Sequence, residues 1–291
     1  MKPAPFEYHR PTTADEVVST LAEVGDAGKL LAGGQSLIPM LALRLASFEH
    51  LVDVGRVDEL GGIDRGDGTV RIGAMTTQAT IERSAEVAAS VPLLARATPH
   101  IGHFQIRNRG TLGGSIAHAD PAAEYPTVAL ALDAELELLS PTGRRTVPAA
   151  DFFTGLWTTA VADDELLVAV SFPIWTGRCG FAVRELARRH GDFAIAGAAV
   201  AVQLDDEDRV TRCSIALLGL GSTPERAVAA EAAATGSALD AMDPAEVGRL
   251  AMADLHAVPS DLHGSSDYRR RVGAAMTAAA WQAATEEARH G

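Results

Sequence analysis

Two double-glycine segments hold the residues with the clearest chemical purpose. The first is Ala32-Gly33-Gly34-Gln35-Ser36-Leu37-Ile38-Pro39. The second is Thr111-Leu112-Gly113-Gly114-Ser115-Ile116-Ala117-His118-Ala119-Asp120-Pro121-Ala122-Ala123-Glu124. Adjacent glycines let the backbone turn sharply through positive φ and bring successive N–H groups to one side, a nest for phosphate oxygens. Gln35 and Ser36 add side-chain donors. A lone Gly-Gly is ordinarily a plain strand-to-helix turn, but recurrence after about eighty residues points to a ligand with two phosphates. Neither segment has the three spaced glycines of a dinucleotide fingerprint, and neither ends in Gly-Lys-Ser/Thr. A Rossmann site and a nucleoside triphosphatase are therefore disfavoured, and a pyrophosphate held by loops remains.

The formal charge of −13 argues against a nucleic-acid partner, which is bound mainly through clustered Lys and Arg. It also means that an anionic ligand must be held by local donors against the field of the whole chain. Each hydrogen bond to a charged group contributes about 1.5–3 kcal/mol, so four of them plus burial of a flat ring system suffice without a lysine cluster. His118, with Asp120 or Glu124 as partner, has the composition of a general base. Two residues apart in a turn, His118 and Asp120 equally suit loop-stabilising bonds to backbone, and a loop or cofactor contact is the weightier reading. No Ser-His-Asp set, histidine pair or carboxylate pair stands out, so no catalytic residue and no metal ligand are assigned. Cys179 and Cys213 are too few for a zinc site or a four-thiolate cluster; they read as reduced, buried thiols. The N-terminus lacks a signal-peptide pattern and no apolar run approaches the roughly 20 residues of a membrane span, which predicts a cytoplasmic protein.

The surrounding elements alternate. Thr13-Ala14-Asp15-Glu16 forms a capping-box pattern ahead of Val17, Val18, Leu21 and Val24 at helical spacing. Residues 29–32, 51–54 and 69–75 read as strands, 76–90 and 92–101 as helical, 122–133 as helical, and 135–140 and 166–173 as strands. Three long strands then follow at 181–188, 193–204 and 210–220, the last two joined through Asp205-Asp206-Glu207-Asp208. Helices are expected at 224–235, 244–255 and 266–289, the last with Tyr268, Val272, Met276 and Ala279 on one face as a seam within the molecule. The pattern is that of an α+β protein with a boundary near residue 177.

At the two glycine segments the chain resembles the FAD-binding medium subunit of the xanthine dehydrogenase and aerobic carbon monoxide dehydrogenase family, the molybdenum hydroxylases. Ala32-Gly33-Gly34-Gln35-Ser36-Leu37 and Thr111-Leu112-Gly113-Gly114-Ser115 look like that family's two flavin-pyrophosphate signatures. The likeness extends to Ile106-Arg107-Asn108, Gly191-Asp192-Phe193-Ala194 and Ser266-Asp267-Tyr268-Arg269, and so covers nearly the whole chain.

The resemblance implies a two-part FAD-binding domain like that of vanillyl-alcohol oxidase over residues 1–177, with a small part at about 1–56 and a larger one at 57–177. A C-terminal domain, 178–291, would hold a three-stranded antiparallel sheet with a helical bundle. The implied FAD contacts are Lys29, Leu31, Ala32, Gly33, Gly34, Gln35, Ser36 and Leu37 on one wall, and Thr111, Gly113, Gly114, Ser115 and His118 on the other. Glu124 falls where an acid binds a ribose hydroxyl, Leu167 would touch the ring system, and Arg184 occupies a position often held by Lys. Glu124 in place of Asp, Ser115 in place of Asn and Arg184 in place of Lys depart from the family pattern, and the last swaps a compact ammonium for a planar fork.

The implied role is electron transfer. Substrate is hydroxylated at a molybdopterin on a large subunit, electrons cross 2Fe-2S clusters on a small iron-sulfur subunit, and FAD on this chain passes them to an external acceptor, in a dimer of heterotrimers. The shortage of cysteines suits that division of labour. A stand-alone flavin oxidoreductase and a structural assembly subunit with a vestigial flavin site are the competing readings.

Overall fold

The N-terminal sheet is the scaffold of the first glycine segment. In the computed structural model, which describes residues 2–290, β1 (Glu7–His9), β2 (Gly28–Leu31) and β3 (His50–Asp53) lie parallel in the order β1-β3-β2. Helix α1 (Ala14–Val24) connects the first two strands, since parallel strands require a crossover. Thr13 caps it by accepting from the Glu16 N–H at 3.2 Å, and the Glu16 carboxylate reaches back to the Thr12 N–H at 2.7 Å. Val17, Val18 and Leu21 are buried at the spacing expected. The chain leaves β2, turns through Gly33-Gly34 and enters α2 (Leu37–Leu43).

The middle part is a five-stranded antiparallel sheet in the order β4-β5-β10-β6-β7: β4 (Ile63–Arg65), β5 (Thr69–Gly73), β6 (Glu135–Ser140), β7 (Gly143–Pro148) and β10 (Leu166–Pro173). Central strand β10 is buried on both faces. Leu166 and Val168 face α1, whereas Leu167, Val170 and Phe172 face a helical layer; a bulge between Leu167 and Ala169 shifts the alternation. That layer contains α3 (Gln78–Arg83), α4 (Ala85–Ser90), α5 (Pro92–Ala97), α6 (Phe104–Arg107), α7 (Leu112–His118) and α8 (Glu124–Ala131). The single helix expected over 76–90 is two: Ser84 ends α3 and caps α4, its hydroxyl accepting from the Val87 N–H at 3.2 Å. After α9 (Ala149–Phe152), the small hairpin β8 (Phe153–Gly155) and β9 (Thr158–Thr159) carries Trp157 at its tip.

The C-terminal sheet contains β11 (Arg178–Leu186), β12 (Ala196–Leu204) and β13 (Val210–Leu218) as an antiparallel meander, as expected. It has four strands rather than three, because β14 (Glu225–Arg226) pairs with β13 through Leu217 and Ala216. β14 precedes α10 (Val228–Ala234) inside the region expected to be helical; Arg226 is tied to Glu231 and Asp133, so ion pairs and a short ladder hold it there. Helices α11 (Pro244–Leu250) and α12 (Ser266–His290) cover one face. Helix α12 is an internal seam that follows the expected stripe only in part: Val272 is buried and Met276 packs against the core, while Tyr268 is exposed and the deepest contacts run through Thr277, Trp281, Ala284 and Ala288. Small residues win that face because the helix lies directly on β11, where a Cβ at Gly180 would sit 1.8 Å from the Ala284 carbonyl oxygen. The other face of the sheet packs Phe181, Val183 and Ala199 into the helical layer of the middle part.

Candidate functional site

The first glycine segment presents donors. Gly34 has φ +73°, where glycine carries no penalty. The N–H groups of Gly33, Gly34, Gln35, Ser36 and Leu37 have no intramolecular acceptor among the described residues. They are orphan donors leading into a helix, and the only side-chain bond within the turn runs from Gln35 Nε2 to the Gly33 carbonyl at 3.1 Å.

The second segment works differently from the expected second nest. Thr111 caps α7, accepting from the Gly114 N–H at 3.1 Å; the Leu112 N–H donates to the Thr76 carbonyl at 3.0 Å and that of Gly113 to the Ala74 carbonyl at 2.8 Å. These donors are spent on anchoring the turn to the end of β5. The glycines serve close approach, since a Cβ at Gly113 would lie 2.5 Å from Ala74 Cβ and one at Gly114 would lie 2.7 Å from Thr111 Oγ1. What the second segment offers is a bare backbone wall and the Ser115 hydroxyl, which has no protein partner among the described residues.

The two segments meet. A Cβ on Gly33 would fall 2.1 Å from the Arg109 carbonyl oxygen and 2.9 Å from Gly110 Cα, and one on Gly114 would be 3.4 Å from Ala32 Cβ. Residues 32–37 and 109–115 therefore form one continuous backbone surface. Lys29 and His118 extend it from either side: burial lowers the His118 pKa below the usual histidine value, Asp120 opposes that shift and the Lys29 charge adds to it. His118 is thereby kept neutral at neutral pH. Asp120 closes an Asx turn by accepting from the Ala122 N–H at 2.9 Å, the loop-stabilising alternative.

Glu124 opens α8 beyond this wall. Part of its surface reaches solvent, yet its carboxyl is closely surrounded by protein, the signature of a concave site; burial, followed by the charge of Glu185, pushes its pKa up to about 8. Leu167 is 5% exposed and lies in the core beneath α7. Arg184 is exposed on β11, its Nη1 donating to the Val183 carbonyl at 2.9 Å, and lines a half-open hollow with His100.

Several residues at the site carry no sequence signal. Glu185, with a side chain 8% exposed, has one oxygen 3.3 Å from His100 Nδ1 and the other buried without a partner. Trp157, at φ +53°, places its Nε1 within 3.5 Å of Asp120 Oδ2. Each depends on partners distant in sequence.

Two family models span the chain: the FAD binding domain in molybdopterin dehydrogenase matches residues 4–175, and the CO dehydrogenase flavoprotein C-terminal domain matches residues 181–284. The chain belongs to the flavoprotein subunits of the molybdopterin dehydrogenases. It is 41% identical to the 6-hydroxypseudooxynicotine dehydrogenase complex subunit alpha of Paenarthrobacter nicotinovorans, over 94% of this chain and 92% of that one. The carbon monoxide dehydrogenase structure from Hydrogenophaga pseudoflava superposes with a TM-score of 0.95 at 41% identity, covering 99% of both chains. Quinoline 2-oxidoreductase from Pseudomonas putida 86 gives 0.93 at 36% identity and 99% coverage of both. The relatives include medium chains of multi-subunit enzymes. Among the described residues of this flavoprotein subunit, no helix is long and apolar enough to cross a membrane.

Arg107 has a defined task in the flavoprotein. Its side chain is 10% exposed; it forms a two-pronged ion pair with Glu82 at 2.9 and 3.0 Å and donates to the Ile101 carbonyl at 3.1 Å. Arg107 thus orients the approach to the second glycine segment. Arg109, in contrast, is exposed and contributes its carbonyl to the wall. Arg107→Ala leaves Glu82 and the carbonyls unpaired and is expected to lower stability by about 3 kcal/mol in urea denaturation. Arg107→Lys restores only part of this, because an ammonium cannot reproduce the fork.

Proposed function

We propose that this chain is the FAD-binding electron-transfer subunit of a molybdenum hydroxylase, taking electrons from iron-sulfur clusters on a partner and passing them to an external acceptor. The observation that carries the reading is the joint surface of residues 32–37 and 109–115, with five consecutive unpaired N–H groups on one side and glycines whose hydrogens alone fit on the other. These residues fit a diphosphate-bridged flavin: donors for the phosphate oxygens, a bare wall for close approach and an acid beyond it.

In this reading the N–H groups of Gly33, Gly34, Gln35, Ser36 and Leu37 hold the pyrophosphate, with Lys29, Leu31 and Ala32 shaping the strand that leads to them. Thr111, Gly113 and Gly114 keep the opposite wall flat; Ser115 and neutral His118 supply polar contacts; Glu124 accepts a ribose hydroxyl; Leu167 and Arg184 border the ring system. FAD supplies the redox chemistry, and the protein contributes binding, orientation and electrostatics. The wider assignment is a vanillyl-alcohol-oxidase-like FAD domain up to residue 177, a C-terminal domain after it, and partners comprising a large molybdopterin subunit and a small 2Fe-2S subunit in a cytoplasmic dimer of heterotrimers. Substrate choice rests on the large subunit.

The test is purification of the full chain, alone and co-expressed with a large molybdopterin-binding and a small 2Fe-2S subunit, followed by flavin quantification. One FAD per chain, released by denaturation and taken up again on refolding, is expected. A colourless chain that cannot take up FAD in either state would overturn the reading in favour of a structural subunit; turnover of a small substrate by the chain alone would favour a stand-alone oxidoreductase.

A further inference from the structure

Strands β1 and β3 bring together three side chains that are remote in sequence and have no part in the flavin site. Glu7 and His9 are two apart on β1 and so project from one face; the parallel register pairs Glu7 with His50 at the start of β3, on that same face. His9 Nε2 lies 3.1 Å from His50 Nδ1, and His50 Nδ1 lies 3.3 Å from a Glu7 carboxylate oxygen. All three potential ligand atoms fall within 4.8 Å of one another.

Protons alone satisfy this arrangement poorly. His50 Nδ1 faces both neighbours and carries at most one hydrogen. If His9 donates to it, its lone pair opposes the carboxylate; if it donates to the carboxylate, the same hydrogen must be shared with His9. A divalent cation would satisfy all three atoms at once. These two separations also match the edge of a tetrahedron built on ligand bonds of about 2.0–2.1 Å, which is about 3.3 Å. Two imidazoles and one carboxylate with room for water form a donor set suited to zinc-class ions rather than to calcium or magnesium. Glu7 is 74% exposed and the His50 side chain 22%, so an ion can enter from solvent. On the opposite face Tyr8 is held by Asp53, which fixes the strand without occupying the site.

We propose that Glu7, His9 and His50 form a binding site for a divalent transition cation of the zinc class, clamping edge strand β1 to β3. Its position gives it a structural role. β3 also pairs with β2, which leads directly into Gly33-Gly34, so the clamp secures the outer edge of the sheet that carries the first glycine segment.

The experiment uses the untagged full-length chain with its flavin, stripped with a chelator and titrated with zinc chloride by calorimetry, beside His50→Ala and Glu7→Gln. Wild type is expected to bind one equivalent and to melt at a higher temperature as free zinc rises. Loss of an outer-sphere partner already weakens metal sites about 10–100-fold, and loss of a direct ligand costs at least as much; His50→Ala should therefore show no stoichiometric binding and no thermal shift. Glu7→Gln, at an exposed position, controls for misfolding and should bind at least about tenfold more weakly. Both variants should keep the wild-type flavin content. A wild-type chain that takes up no zinc, or two variants that bind it as tightly as wild type, would overturn the site.

Discussion

Gly33→Ala is expected to give a folded protein without flavin. The added methyl would lie 2.1 Å from the Arg109 carbonyl oxygen and 2.8 Å from its carbonyl carbon, both backbone atoms that cannot rotate away. The two glycine segments must therefore separate, and the five N–H donors lose their common aim. Losing even two charge-assisted bonds of about 1.5–3 kcal/mol each weakens FAD binding roughly 10²–10⁴-fold. The clash lies at the junction of two surface loops rather than in the main core, so far-UV circular dichroism should stay close to wild type. Gly113→Ala provides the contrast: its methyl would meet Ala74 at 2.5 Å in a fully packed position, and the expected result is loss of the fold itself. Gly62→Ala, with open space around the added carbon, carries only the penalty of φ +109° and should retain FAD. Flavin content after gel filtration, set beside circular dichroism, separates the three; a yellow Gly33→Ala protein would defeat the argument.

That contrast also marks what the sequence made legible. The glycine pairs were visible because glycine is the residue a close backbone approach demands, and α1 because its cap and buried stripe are local. Strand β7 was not visible: Gly-Arg-Arg-Thr-Val-Pro buries only Val147 in its interior-facing set, so no alternation marks it. Residues 76–90 have continuous helical composition, and only the use of Ser84 as a cap at a chain bend divides them. For β14 the determinants are Asp133 and the β13 backbone, 93 residues and about ten residues away respectively. The second glycine segment shows the subtler limit. Composition tells where a backbone comes close to something, but which N–H groups remain free depends on whether Thr76 and Ala74 have already taken them. His9 and His50, 41 residues apart, are neighbours only through the parallel register of two short strands.

Glu124 should respond to pH with a sign opposite to that of an ordinary surface acid. Burial and the facing charges of Glu185 and Asp120 raise its pKa from 4.5 to about 8 in the folded chain. Between those values the native state holds a proton that the unfolded state has released, so this group's contribution to stability is fully present below pH 4.5 and is lost as pH rises through 8. The slope is roughly 1.4 kcal/mol per pH unit, or about 2–4 kcal/mol over the window once the open side of the cleft is allowed for. Glu124→Gln keeps the shape and removes the titration. It should match wild type in urea denaturation at pH 5 and exceed it by about 2–4 kcal/mol at pH 8. FAD affinity should move the other way above pH 8, where the carboxylate is ionised, falling about tenfold as a charge-assisted bond to a ribose hydroxyl becomes a neutral one. A residue serving only the fold would gain or lose in both measurements together. Opposite signs at one position identify an acid that the native chain tolerates at a cost because of what it holds; equal stability of the two proteins at pH 5 and pH 8 would remove that interpretation.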